Sequence, residues 1–412
     1  MFAPGVWPGY YKRASGSEIV DIDGNRYLDF SIGGIGANIL GYSDQDVNLA
    51  VIEAVNNGSS SSLNCYEEID LAELFLSIHP WAEMIRYTRG GGEAMALAVR
   101  IARVHKKTDI VLFCGYHGWH DWYLAANLTD LSNLNEHLAQ DLQPRGVPKN
   151  LANTSIPFRY NDLENLTELL VKHKGKVAAI VMEPTYAVEP ENNYLKNVRD
   201  LANEFGVLLI FDEITSGFRI MPSGIHMKYG VAPDLAVFSK AISNGYPMGI
   251  IIGKKSVMTN TELTFVSSTS WSERIGPVST LATIKKLTNV CDYRTLISTG
   301  QQVRNGLSNL ASDYDLDLRI SGLPTLFSFK FNDPQDALMR TYFTQEMLDY
   351  GFLAAGRFYA MFSHTQSQID EYLNAARNVF QKIKMFSSNN QLRDKLRGGV
   401  LHNGIQRGGY SG

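Results

Sequence analysis

Short, almost unbroken apolar runs alternate along the middle of this chain with stretches of helical period. Residues 109–114, 177–182, 207–211, 234–238 and 249–253 are such runs, the pattern of strands covered on both faces of a sheet. Between them, Ala94, Leu97, Ala98, Ile101 and Ala102 recur at helical spacing within 93–105. A helix follows Asn161 or Asp162, either of which suits an N-cap, and another spans 194–205. Strand, helix, strand in repetition predicts an α/β fold with a mainly parallel, doubly wound sheet. Right-handed crossovers then bring the carboxyl ends of the strands to one edge, where open α/β sheets bind ligands. Gly91, Tyr116, Glu183, Asp212 and Lys240 all stand just past such ends.

The flanks read differently. Residues 19–21 and 27–30 surround Asp23-Gly24-Asn25, a hairpin signal. Gly33, Gly34, Gly36 and Gly41 form a flexible crossing into a helix over 44–56. The polar loop 57–64 is either a solvated linker or a substrate-facing segment. Helices over 277–287, 294–312, 334–350 and 366–385, with strands near 317–331, predict a carboxyl-terminal α/β lobe. The expected division is a large domain over 43–293 and a small one from 1–42 and 294–412. The Gly-rich tail after Ser387 either lacks fixed structure or drapes over a partner.

Composition narrows the classes. A chain of 412 residues can bury a large core. A net charge of −4 leaves no basic footprint for nucleic acid. No apolar run approaches a membrane span, and the opening residues lack a signal-peptide pattern. Three widely spaced cysteines suit a reducing compartment, so the expectation is a soluble cytoplasmic enzyme.

The chemistry concentrates in VLLIFDEITSGFR and GVAPDLAVFSKAISNGYPMG. A lysine at a strand end forms a Schiff base with an aldehyde once desolvation lowers its pKa. A buried aspartate nearby holds a pyridinium nitrogen protonated. Upstream, Gly90-Gly91-Gly92 runs into a helix, whose free N–H groups suit a phosphate. His117, His120 and Asp121 place three metal donors within five residues, without a second cluster elsewhere to support them.

These motifs, in this order and over most of the chain, resemble the class III (subgroup II) aminotransferases, and among them most of all the glutamate-1-semialdehyde aminomutases. The resemblance implies the type I fold of pyridoxal-phosphate (PLP) transferases, pyridoxal 5′-phosphate as cofactor and a homodimer with shared sites. It makes Lys240 the residue that holds the cofactor as an internal aldimine, and Asp212 the partner of the pyridine nitrogen. The family's Ser-Gly-Thr phosphate motif falls on Gly90-Gly91-Gly92, which leaves Gly91 and Gly92 only backbone donors. Tyr116 either stacks on the ring or packs as an ordinary aromatic, with His117 and Gly118 completing its motif. Glu183 joins the cofactor site, and Ile214 covers the ring face opposite Tyr116. Thr269 is either a phosphate ligand reaching across a dimer or a loop cap.

Two departures bear on substrate. The aminomutase resemblance expects an arginine in a segment that would precede Met1, and a glutamate where Tyr359 stands. Both favour an intermolecular aminotransferase acting on a small carbonyl acceptor, a keto-sugar among the options. Arg357 either binds an acidic group of that acceptor or forms a surface ion pair. The competing readings are a metal enzyme built on His117, His120 and Asp121, and a relative that binds cofactor without turnover.

Overall fold

The computed structural model describes residues 2–138, 140–185 and 188–401. The chain divides into two units, one from the termini (1–45 and 291–412) and one continuous from 46 to 290.

In the first unit, β1 (Tyr11–Ser15), β2 (Glu18–Asp21) and β3 (Arg26–Phe30) form an antiparallel meander. Asp21 closes the β2–β3 turn by accepting from the amides of Asp23 and Asn25.

The second unit holds the central sheet: β4 (Met84–Thr88), β5 (Ile110–Cys114), β6 (Ser155–Pro157), β7 (Val177–Met182), β8 (Leu208–Asp212), β9 (Leu235–Phe238) and β10 (Gly249–Gly253). Their spatial order is β4-β10-β9-β8-β7-β5-β6. Pairings from β6 to β9 are parallel, while β10 runs antiparallel to both β9 and β4. The sheet is therefore mainly parallel, as the sequence pattern predicts, with one reversed strand. The connection 239–248 is the reason, since a parallel neighbour needs a crossover of about a dozen residues or more.

Alternation along the strands sorts side chains to two cores. Val111, Phe113, Leu208, Ile210, Leu235 and Val237 pack under the Gly91–Lys106 helix. Leu112, Cys114, Leu209 and Phe211 pack against Leu166, Leu195, Val198 and Ala202 on the other face. The Leu163–Lys172 helix there is capped by Asp162, which accepts from the Asn165 amide.

The first unit closes with β11 (Leu318–Leu323), β12 (Leu326–Phe331), β13 (Phe352–Ala354) and β14 (Arg357–Tyr359). β13 adds in parallel to β3, so both termini share one four-stranded sheet. β11, β12 and β14 form a second sheet beside the Tyr293–Asp313, Asp336–Asp349 and Gln366–Ser388 helices. Of the Gly-rich tail, 402–412 lie outside the described residues.

Gly249 opens β10 opposite Thr88. A Cβ there would press on Thr88 Oγ1 and lie 2.8 Å from the Gly90 carbonyl oxygen. Gly249→Ala should therefore cost about 1–3 kcal/mol by overpacking. Unchanged stability in urea unfolding would show that the β4–β10 edge yields freely.

Candidate active site

Strand parity decides what faces what at the end of β8. Asp212 shares its face with Leu208 and Ile210 and so points toward the Gly91–Lys106 helix side. Glu213 follows Leu209 and Phe211 to the other side. Both carboxylates are buried, and each has a histidine partner.

Asp212 Oδ1 accepts the Ile214 amide at 3.0 Å, which fixes the turn. Its Oδ2 lies 2.8 Å from His117 Nδ1. His117 Nε2 faces the Cys114 carbonyl oxygen at 3.1 Å. Both ring nitrogens of His117 are thereby engaged, one by the carboxylate and one by the carbonyl. Glu213 Oε1 accepts from His226 Nδ1 at 2.7 Å, and Trp81 Nε1 donates to His226 Nε2 at 2.8 Å. Ser216 donates to the remaining Glu213 oxygen. Burial works to raise the Glu213 pKa, but the hydrogen bond and attraction from His226 hold it below the ordinary value.

Lys240 follows β9 and Ser239. Its φ of 52° is left-handed, a conformation that costs a non-glycine residue about 1–3 kcal/mol and that clusters at functional sites. Its Nζ donates to Thr215 Oγ1 at 2.8 Å, and Thr215's carbonyl in turn accepts from the buried Arg219. Glu183, at the end of β7, is pushed up to about 7, first by burial and then by the Asp212 charge, with His117 and Lys240 opposing. Its Oε2 also accepts the Tyr116 amide at 3.4 Å. Tyr116 is raised by burial and by Asp212, and its ring meets Tyr123 edge-on.

The Gly91–Lys106 helix begins after an extended Gly90, and its first intrahelical bond is Ala94 N to Gly90 O. The Gly91 and Gly92 amides precede that bond and are open to an anion. A Cβ on Gly91 would lie 2.9 Å from Ile214 Cδ1 and 3.3 Å from Ser239 Cβ. A Cβ on Gly118 would lie 3.2 Å from Gly92 Cα. Gly91, Gly92, Tyr116, His117, Glu183, Asp212, Ile214 and Lys240 are thus linked by contact around one edge. Thr269 is not among them: it stands exposed at the head of a 3-10 turn capped by Ser268. Arg89 ties that turn down by donating to the Ser270 and Glu273 carbonyls. Arg357 and Tyr359 lie on β14 in the other unit, Arg357 exposed and Tyr359 buried.

The residues present fit pyridoxal phosphate by the chemistry of their donors. A lysine amine suits the aldehyde, a buried carboxylate the ring nitrogen, and a side-chain-free helix start the phosphate. The metal reading finds no such fit. Both His117 nitrogens are engaged, and among the described residues no group of three His, Cys, Asp or Glu could hold an ion. The residue pattern did not reveal Thr215, His226 or Trp81. Only the third position after Asp212 could have drawn attention to Thr215.

A family model described as "Aminotransferase class-III" matches residues 3–380. The chain belongs to the class-III aminotransferases. Its cofactor is pyridoxal 5′-phosphate, and it is a transaminase. It is 32% identical to glutamate-1-semialdehyde 2,1-aminomutase 2 of Lachnoclostridium phytofermentans, over 89% of this class-III chain and 90% of the relative. It is 30% identical to 3-aminobutyryl-CoA aminotransferase of Cloacimonas acidaminovorans, over 93% and 91%. The fold matches FumI of Sphingopyxis sp. MTA144, solved in its PLP internal aldimine form, with a TM-score of 0.85 and 22% identity over 94% and 92% of the chains.

Glu183 gives this aminotransferase a pH-dependent stability. Its folded pKa lies above the carboxylate's usual value, so between about 4.5 and about 7 the native state binds more protons than the unfolded state. Stability must fall as pH rises through that window. In the cofactor-free protein, Glu183→Gln should remove this fall, raising Tm relative to the parent near pH 7 and not near pH 4. Parallel Tm profiles would contradict it.

Proposed function

We propose that this class-III enzyme is an intermolecular aminotransferase that moves an amino group from an amino-acid donor to a small carbonyl acceptor, keto-sugars being the first class to screen. Bound at Lys240, the cofactor supplies an electron sink for the carbon that loses its proton. Lys240 Nζ binds the cofactor aldehyde and, once released by the donor, carries the proton between substrate carbon and cofactor. Thr215 Oγ1, at 2.8 Å, positions that amine. Asp212, paired with His117 at 2.8 Å, holds the ring nitrogen. Tyr116 would cover one ring face and Ile214 the other, with Glu183 behind Tyr116, whose amide it accepts. The observation that carries the reading is the meeting of Lys240, Asp212 and the Gly91–Gly92 turn at one sheet edge. Lys240→Ala should abolish the visible band of the bound cofactor and all turnover while the fold persists. A visible band retained in that variant, with borohydride reduction then fixing the cofactor to another lysine, would move the assignment.

The relatives include both aminomutases and an aminotransferase. An aminomutase must retain its diamino intermediate through both halves of the reaction. A phenol at Tyr359, unlike the glutamate that the resemblance expects, offers no carboxylate to pair with an ammonium. The first product should therefore leave, giving ping-pong kinetics with separate donor and acceptor. Glutamate semialdehyde alone should yield no 5-aminolevulinate, whereas glutamate with a suitable aldehyde or keto-sugar should turn over. Efficient isomerisation of the semialdehyde without an added donor would restore the aminomutase reading.

A phosphate-binding role for the exposed Thr269 requires a second subunit, so the working unit is a homodimer sharing its sites. An active monomer in sedimentation at assay concentration would contradict this. Three free cysteines support a reducing, cytoplasmic setting. No helix among the described residues is long and apolar enough to cross a membrane.

A further inference from the structure

The start of the Gly91–Lys106 helix carries no side-chain donor of its own. Gly90, Gly91 and Gly92 offer amides and nothing else, and Glu93 turns its carboxylate back to the Arg89 amide at 2.8 Å. A phosphate lodged there would rest on backbone dipoles alone. One side chain reaches the same turn from elsewhere. His120 stands so close that a Cβ on Gly92 would lie 2.8 Å from its Cε1 and 2.9 Å from its Nδ1. A side chain at position 92 would therefore have to displace the imidazole. The missing hydroxyl and the arriving ring are one geometric fact.

Two further features bear on that ring. Trp119 stacks on it with centroids 4.6 Å apart and planes at 28°. Gly118, at φ +97°, lets the segment approach the Gly92 backbone. Nδ1 is shut off from solvent and, among the described residues, meets no hydrogen-bond partner. Buried polar atoms are rarely left so. An unpaired nitrogen thus stands beside a turn of free amides.

We infer that His120 is a ligand of the cofactor phosphate, donating through Nδ1–H to an anion lodged at the Gly91–Gly92 turn. The bond replaces a side-chain hydroxyl that this helix start lacks, and a hydrogen bond to an ionised acceptor is among the stronger ones. The inference rests on the proposal that the phosphate is held at this turn.

The test titrates cofactor-free protein with pyridoxal phosphate and with pyridoxal, following the visible band, and records the ³¹P resonance of bound pyridoxal phosphate. His120→Ala should weaken pyridoxal phosphate about tenfold to about a hundredfold, leave pyridoxal unchanged and shift the ³¹P signal. Adding Gly92→Thr to that variant should recover part of the lost preference, because a hydroxyl returns where the ring stood. Equal losses for both probes, or an unaltered affinity and ³¹P signal, would overturn the assignment. Gly90→Asp separates the two layers of the argument, since nothing lies within 4 Å of a Cβ there and its carboxylate repels a neighbouring phosphate. If Gly90→Asp keeps the preference for pyridoxal phosphate, the phosphate lies elsewhere and both readings fall. If it destroys that preference while His120→Ala does not, only the role of His120 is refuted.

Discussion

Burying two adjacent carboxylates at the end of one strand is the constraint on which this structure turns. An isolated buried carboxylate is costly, and the cost is met only by paired and hydrogen-bonded partners. Asp212 and Glu213 emerge from β8 on opposite faces, so each needs its own set. His117 arrives from the end of β5 for one, and His226, backed by Trp81, for the other. Those partners fix the turn that follows, and the turn delivers Ile214 to the Gly91 helix start and Thr215 to Lys240. The chemistry at the edge is a consequence of how the charges behind it are housed.

Much of the fold was legible because buried strands are continuous apolar runs, and 177–182 and 249–253 coincide with β7 and β10. What the apolar pattern did not carry was direction. GIIIG reads alike from both ends, and the reversal of β10 was written instead in the brevity of 239–248. Parity along β8 likewise contained the opposite facing of Asp212 and Glu213, a use of the two-residue period that the run of apolar residues conceals. The partners supplied by loops were harder. His226 lies thirteen positions beyond Glu213, and nothing in the irregular segment between them marks it as the residue that will meet the carboxylate. His120 was visible only as one of three metal donors, because its neighbour Gly92 is adjacent in space and not in sequence.

The left-handed backbone at Lys240 belongs with this picture. Surrounding contacts must hold such a conformation in place: Ser239 bonds the Met248 carbonyl on one side, and Thr215 takes the amine on the other. Strain at Lys240 is therefore sustained by the same short 239–248 connection that reverses β10.

That reversal has a wider effect. β4 is antiparallel to β10, and β10 to β9, so two inversions cancel and β4 points the same way as the strands from β5 to β9. The glycine turn after β4 therefore opens beside Asp212, while the end of β10 emerges on the opposite rim. There Asp234 meets Arg199 and Lys254, each at 2.7 Å. One inverted strand thus gives the sheet a chemical rim and an ionic rim with little in common. Asp234 is buried and also accepts the Leu209 amide of β8 at 2.8 Å, so the ionic rim anchors the start of the strand whose far end carries Asp212: losing either cation would be felt along β8 and not only at the surface.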